Sequence, residues 1–101
     1  MQPELSVPVI WVEDDGPPQA GRLDVFSDRL HLDGGFRENR RTRDVPLSDV
    51  GAVRMGRAIG ERINGRQAIV LALAGGATLS LAAFARPGTL LELAHRLESL
   101  Q

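Results

Sequence analysis

The sequence predicts a mainly β domain of about seven antiparallel strands that ends in one α-helix. Short apolar segments, with alternating or β-branched residues, recur between clusters of glycine, proline and acidic residues. From residue 87 onward the leucines instead repeat at helical spacing. The chain of 101 residues has the length of one domain, spanning residues 1–101, and its 43% hydrophobic content is typical of a globular protein.

The segment GRLDVFSDRLHLD, residues 21–33, predicts a β-hairpin with Ser27-Asp28 at its tip. Alternate residues of a strand point to opposite faces. One face then carries only apolar pairs, Leu23–Leu32 and Val25–Leu30. The other face carries the pairs Arg22–Asp33, Asp24–His31 and Phe26–Arg29. A shift by one residue would expose the apolar set to water, so the pattern fixes the register.

Further strands are predicted on both sides of this hairpin. PVIWVE (8–13) has the composition of a buried strand, with Trp11 in the core. TRDVPL (42–47) predicts a strand whose Val45 and Leu47 point inward, and SDV then forms a turn. GAVRMGR starts the next strand, with the apolar residues Val53 and Met55.

The segment AIGERINGRQ (58–67) leaves two interpretations open. Asn64-Gly65 is either the tip of a long hairpin, with Gly56 and Gly60 at bulges, or part of a loop.

QAIVLAL (67–73) is nearly all apolar, which predicts a strand covered on both faces. An even loop around Gly75-Gly76 would set its leucines against Ser80 and Thr78. An odd, three-residue loop with a left-handed glycine aligns Leu73 with Leu79 and Leu71 with Leu81. We predict the odd loop, because it puts four leucines on one face.

The C-terminal segment predicts one amphipathic helix. Pro87 suits the first helical turn, where its missing N–H costs no hydrogen bond. An apolar stripe follows at helical spacing, formed by Leu90, Leu93, Ala94, Leu97 and Leu100. This stripe must be buried, so the helix is expected to dock on the sheet.

The charges are unevenly distributed although the net charge is only −1. Residues 1–36 hold two arginines against seven acids, a net of −5, and residues 37–66 hold eight arginines against four acids, a net of +4. The loop GGFRENRRTR contains our candidate surface-binding residues, Phe36, Arg37, Arg40, Arg41 and Arg43. They could dock on an anionic membrane, or be neutralised within the molecule by the acidic loop at Glu13-Asp14-Asp15. Nucleic acid is the less favoured ligand.

Several functional classes lack support in the sequence. No nucleophile motif or phosphate-binding glycine loop is present, so we expect no enzyme, no catalytic residue and no cofactor. His31 and His95 have no metal-ligand spacing, and an exposed pair of His31 with Asp24 is favoured over a catalytic one. The chain has no cysteine, and its N-terminus resembles neither a signal peptide nor a membrane span. We therefore expect a cytoplasmic protein.

Three segments carry a resemblance to a known superfamily: GRLDVFSDRLHL, DVPLSDVGAV and RPGTLLELAHRLESL. They resemble the hairpin, the strand-to-strand corner and the closing helix of pleckstrin-homology (PH)-like domains, above all the small bacterial PH and GRAM-type domains. The pieces span most of residues 21–100. The resemblance implies a partly open barrel of about seven antiparallel strands closed by the C-terminal α-helix.

The same resemblance sets an expectation for function. PH domains that bind phosphoinositides carry basic residues near the first strand–strand loop, but here that loop is EDDGPPQAG and would repel a phosphate. We expect a non-catalytic interaction module whose partner is another protein, or a second copy in a homo-oligomer, as the small bacterial relatives imply. The alternative is peripheral binding to an anionic lipid surface through residues 36–43.

Overall fold

The computed structural model describes the main part of the chain. The described ranges are residues 2–14, 16–35, 38, 40–56, 61–83 and 87–99, with the backbone alone over 87–91. Every structural statement below concerns these residues.

Seven antiparallel strands form one sheet that curls into a half-barrel, and one C-terminal helix follows, as predicted. The strands are β1 (Leu5–Glu13), β2 (Gln19–Val25), β3 (Arg29–Gly34), β4 (Arg41–Pro46), β5 (Val50–Met55), β6 (Ile69–Leu73) and β7 (Thr78–Ala83). The helix is α1 (Pro87–Ser99). The strand order is β4-β3-β2-β1-β7-β6-β5, so that β1 joins β7 at the centre and β4 and β5 are the two terminal strands.

The predicted hairpin register of β2 and β3 is confirmed. Leu23 lies opposite Leu32 and Val25 opposite Leu30, and all four side chains are fully buried. The Phe26 amide donates to the Arg29 carbonyl at 2.9 Å, which encloses the two-residue tip. The Arg29 guanidinium lies 4.3 Å from the centre of the Phe26 ring, and Phe26 is itself buried.

The β6–β7 hairpin confirms the odd loop and corrects the register. The loop is the three residues Ala74–Gly76, with Gly75 and Gly76 both in the left-handed region, and Leu71 lies opposite Leu79 rather than Leu81. Two successive left-handed glycines turn the chain directly after Ala74 and shift the pairing by two residues. A two-residue shift leaves every side chain on its face, so the four leucines are still buried together, namely Leu71, Leu73, Leu79 and Leu81.

The concave face of the half-barrel contains the main core, and α1 packs on it. The helix begins at Pro87, as predicted. Leu93, Ala94 and Leu97 are buried in the same cluster as the inward residues of the strands. Leu90 belongs to the helix by its backbone, and Leu100 lies outside the described residues. The helix contacts β5 and β7, so it covers the β5 side of the interior.

Trp11 is part of this core and brings two strands into close approach. Its indole N–H donates to the Asp33 carbonyl at 3.2 Å, and its side chain is 3% exposed. A Cβ built at Gly34 would lie 2.7 Å from the indole nitrogen, and one built at Gly21 only 1.8 Å from the Asp33 carbonyl oxygen. A side chain at Gly21 would therefore collide with the β3 backbone, and one at Gly34 with the Trp11 indole of β1.

A second, smaller apolar cluster covers the convex face. Asn64 and Gly65 both have positive φ, 51° and 78°, and Ile63 and Arg66 exchange backbone hydrogen bonds at 2.9 and 3.0 Å. This is the tight two-residue hairpin turn that an Asn-Gly pair favours, closed by one isolated bridge rather than a long hairpin. The turn packs the buried Ile63 against β1 and β7, in a cluster with Ile10, Ala68 and Ala82.

Candidate functional site

Arg40, the first described arginine of the predicted cluster, is held by a carboxylate. Its Nε and Nη2 donate to the two Asp33 oxygens at 3.1 and 2.6 Å, in a bidentate pair. The hydrogen bond from Arg40 lowers the pKa of Asp33 below its ordinary value. The same bond raises the pKa of Arg40. Arg40 therefore presents a neutralised pair to an approaching anion.

Arg43 lies on the concave face, since its neighbour across the sheet is the buried Leu32. Its Nε donates to a Glu13 carboxylate oxygen at 2.9 Å, 30 residues away in the chain. Both side chains are little more than one third exposed, 39% and 35%. The predicted neutralisation of the arginine-rich loop by the acidic loop is thus confirmed for this pair.

Asp14, the next residue of the acidic loop, has a structural role. The Asp14 amide donates to the Thr78 carbonyl at 2.8 Å, and the Asp14 carboxylate accepts from the Thr78 amide at 2.9 Å. These two bonds hold the end of β1 to the start of β7. Asp15 lies outside the described residues.

Arg41 is the exception within the predicted cluster. It is exposed, and it makes no ion pair with any residue that the structure describes. It lines a shallow depression together with Trp11, Glu13, Gly16, Pro17, Gln19 and Thr42. Phe36 and Arg37, the other two candidates, lie outside the described residues. The described part of the predicted site therefore offers one uncompensated cation rather than a cationic patch.

The polar row across the convex face differs from the predicted side-chain pairs. Asp24 lies opposite His31 in the sheet register, as expected. However, Ser6 of β1 donates its hydroxyl hydrogen bond to Asp24, and His31 Nδ1 is 2.7 Å from an Asp44 oxygen of β4. The predicted cross-strand placement of His31 opposite Asp24 is therefore confirmed, but their side chains form hydrogen bonds with Asp44 and Ser6 on the strands outside the hairpin.

No metal centre is assembled in the described ranges. No group of three or more His, Asp or Glu side chains is arranged to hold a metal ion there. His95 is exposed on α1. In those same ranges no helix has both the length and the apolar character needed to cross a bilayer.

The outer edge of β4 is polar and interrupted. The backbone groups of successive strand residues point alternately to the two neighbours. The Gly35 amide donates to the Ala20 carbonyl of β2. The backbone N–H and C=O of Gly34 therefore point to β4, and those of its partner Arg41 point to β3. By alternation the backbone groups of Thr42, Asp44 and Pro46 point to the outer edge. Pro46 has no N–H to donate and Asp44 carries a charge, so this edge is protected against further strand pairing.

The outer edge of β5 is mostly apolar. The Gly56 amide donates to the Ala68 carbonyl at 2.8 Å, on the β6 side. By alternation Val53 and Met55 direct their N–H and C=O groups to the outer edge. Both side chains are half-buried and pack against the core, and no described strand pairs with this edge. The sequence indicated only that an open barrel has edges; the signal for this one is a strand without proline or acid, VGAVRM.

Arg54 is the only charged residue of β5, and it is already paired. It forms an ion pair with Glu61 on the convex side, and the hydrogen bond that it donates to that carboxylate raises the pKa of Arg54. Ile63, close to Glu61 in the chain, is buried in the convex cluster, and residues 57–60 lie outside the described ranges.

Comparison with known proteins bears on the fold alone. No family model and no curated protein matches the chain. A solved structure, the C-terminal domain of an unknown protein from Leishmania infantum, is similar with a TM-score of 0.72 and 12% sequence identity. The match covers 95% of this chain and 84% of that one. The half-barrel with its terminal helix is therefore a fold found in solved structures.

Proposed function

We propose that the chain is a non-catalytic protein-interaction module that binds an extended segment of a partner along the outer edge of β5. The single observation that carries this proposal is the orientation of Val53 and Met55, whose backbone donors and acceptors face an edge that no described strand occupies. Strand addition to such an edge gains main-chain hydrogen bonds, and neighbouring side-chain positions supply selectivity.

The apolar character of β5 supports the same assignment. Gly51 and Ala52 are exposed, and Val53 and Met55 are half-buried. An added strand would cover these side chains and extend the interior of the half-barrel. The PH-like family assignment and the cytoplasmic location belong to this proposal too, and the observed strand order and closing helix support the former.

Binding to an anionic membrane is the weaker candidate. Each exposed arginine near an anionic surface contributes about 1 kcal/mol. Arg40 is instead paired with Asp33 and Arg43 with Glu13. Only Arg41, among the described residues of the predicted cluster, is available without breaking an internal ion pair.

The test compares the two sheet edges in one capture experiment. The tagged 101-residue chain is used as bait in a native lysate, beside a Val53→Pro variant that removes an outward donor from β5. The matched control is Thr42→Pro, which removes an outward donor from β4. Proline is tolerated where the missing N–H faces the free edge of a sheet, and a thermal melt of each variant verifies folding.

We expect bound protein to be lost in Val53→Pro and retained in Thr42→Pro. Ala52→Lys gives a second measurement, because a lysine on the edge opposes strand addition while all backbone donors stay in place. Capture that is equal in all variants, or lost only in Thr42→Pro, would overturn the proposal. So would salt-sensitive binding to phosphatidylserine vesicles that Arg41→Ala abolishes and Val53→Pro leaves intact.

A further inference from the structure

We infer that the strand added at the β5 edge is β5 of a second copy of this chain, paired antiparallel about a two-fold axis at Val53. The inference rests on the proposed function and names its partner. It joins two half-barrels into one continuous sheet through the same edge of each copy, which is the isologous contact of a two-fold dimer.

The backbone of Val53 meets the requirement of such an axis. In an antiparallel pair, a residue on the two-fold axis lies opposite its own copy. If its N–H and C=O both face the edge, the two copies of that residue exchange two hydrogen bonds. Val53 satisfies this condition, because the alternation from the Gly56–Ala68 bond directs its backbone groups away from β6.

The side chains select this register over its two neighbours. With the axis at Val53, Ala52 lies opposite Arg54 of the second copy and Gly51 opposite Met55 of the second copy, so each small residue meets a long one. An axis at Arg54 would place two guanidinium groups directly opposite each other, which is unfavourable. An axis at Ala52 would place the exposed Asp49 against the half-buried, apolar Met55.

Charge also favours a copy of the chain over a charged peptide. Arg54 is neutralised by Glu61 of its own chain, so the β5 edge presents no unbalanced charge to attract an acidic segment. The bulge between Val50 and Ala52 ends the regular ladder on one side. The pairing is therefore short, and self-association is expected at concentrations on the order of micromolar or above, as for a small interface.

The chain contains no cysteine, so a single introduced thiol reports the axis directly. Val53→Cys places two thiols on facing residues whose Cα atoms are about 5.5 Å apart in a hydrogen-bonded pair, within the range that a disulfide spans. Ala52→Cys and Arg54→Cys are the matched controls one residue away. Under mild oxidation we expect Val53→Cys to form a covalent dimer at least tenfold faster than either control.

Sedimentation equilibrium of charge variants gives an independent reading without oxidation. Ala52→Lys puts an additional cation opposite the Arg54–Glu61 pair of the second copy, where Glu61 already balances Arg54, and is expected to weaken the dimer several-fold. Thr42→Lys, on β4, should leave the association constant unchanged.

The outcomes separate this inference from the function on which it rests. A chain that stays monomeric up to 100-fold above that micromolar range, or faster cross-linking at Ala52→Cys or Arg54→Cys, overturns the Val53 two-fold. If such a chain still captures another protein in a manner that Val53→Pro abolishes, the proposed function survives. If β5 variants alter neither self-association nor capture, both are wrong.

Discussion

The two terminal strands of the sheet, β4 and β5, differ in the side chains that they carry. The β4 end carries ion pairs and a proline, whereas the β5 end carries apolar side chains and a helix packed behind them. Both ends lie on the same half-barrel and are joined by the short turn at Leu47–Asp49. Charge and a proline at the β4 edge disfavour further strand pairing, whereas β5 contains neither proline nor acid.

The ion pairs of the β4 end contribute little to stability. Exposed pairs are worth about 0–1 kcal/mol each, and Arg29, His31 and Asp44 are all exposed or half-exposed. The buried inward residues of this end, Leu30, Leu32 and Val45, supply its apolar burial. The β5 end depends instead on a tertiary element, because α1 provides the apolar residues that cover its interior.

The largest loss of stability is expected from a substitution in α1, which covers the β5 end of the sheet. Leu97→Asp places a carboxylate where Leu97 is 2% exposed. Truncating such a leucine costs about 2–5 kcal/mol, and an unpaired charge adds to that loss. We expect a marked drop in the thermal midpoint, measured by circular dichroism. The exposed neighbour Glu98→Ala should stay within about 0.5 kcal/mol; a normal melt for Leu97→Asp would show that the helix does not dock.

A smaller effect is expected at the β4 end from the Glu13–Arg43 pair. Glu13→Gln keeps the shape of the side chain and removes its charge, at an expected cost of about 1 kcal/mol in urea denaturation because the pair is partly exposed. The exposed helix variant Glu92→Gln is the control. A loss as large as that of Leu97→Asp would mean that charge, rather than apolar burial, stabilises this end.

The smallest effect is expected from the Asp33–Arg40 pair near β4, and it is measured as a dependence of stability on pH. Arg40 lowers the pKa of folded Asp33, so the pair stabilises the fold above the ordinary carboxyl pKa of 3.8. That contribution is lost as the pH falls through the lowered folded value. The difference in urea midpoint between wild type and Arg40→Gln should be constant from pH 7 to about 5 and should vanish in acid. A difference that persists unchanged in acid would contradict the assigned pairing.

The sequence predicted the strands and their faces because both follow from local alternation. The hairpin of β2 and β3 needs only the spacing of Leu23, Val25, Leu30 and Leu32, and its register was correct. Alternation also predicted that the leucines of β6 and β7 share the buried face. It cannot distinguish two registers that differ by two residues, because both keep every side chain on the same face. The structure resolves this through consecutive left-handed glycines after Ala74, a choice made by the loop and not by the strand faces.

The candidate site was less predictable, since it depends on which strands become neighbours. Asp24 also lies opposite a residue of β1, and His31 opposite a residue of β4. The sequence of the hairpin alone does not reveal these neighbours. The Arg43–Glu13 contact likewise joins residues on strands that are not adjacent in the sheet. The exposed β5 edge follows from the strand order as a whole, which no single segment encodes.

The central pairing of β1 with β7 has a consequence for how the molecule is made. Its pairs join residues from 66 positions apart, Glu13 with Leu79, to 74 positions apart, Val9 with Ala83, and contacts of this kind form slowly. During synthesis the first four strands can assemble as a meander while β1 still waits for its neighbour. A nascent chain therefore exposes a temporary third edge, at β1, until the last strand emerges, and chaperone protection would be most valuable during that interval.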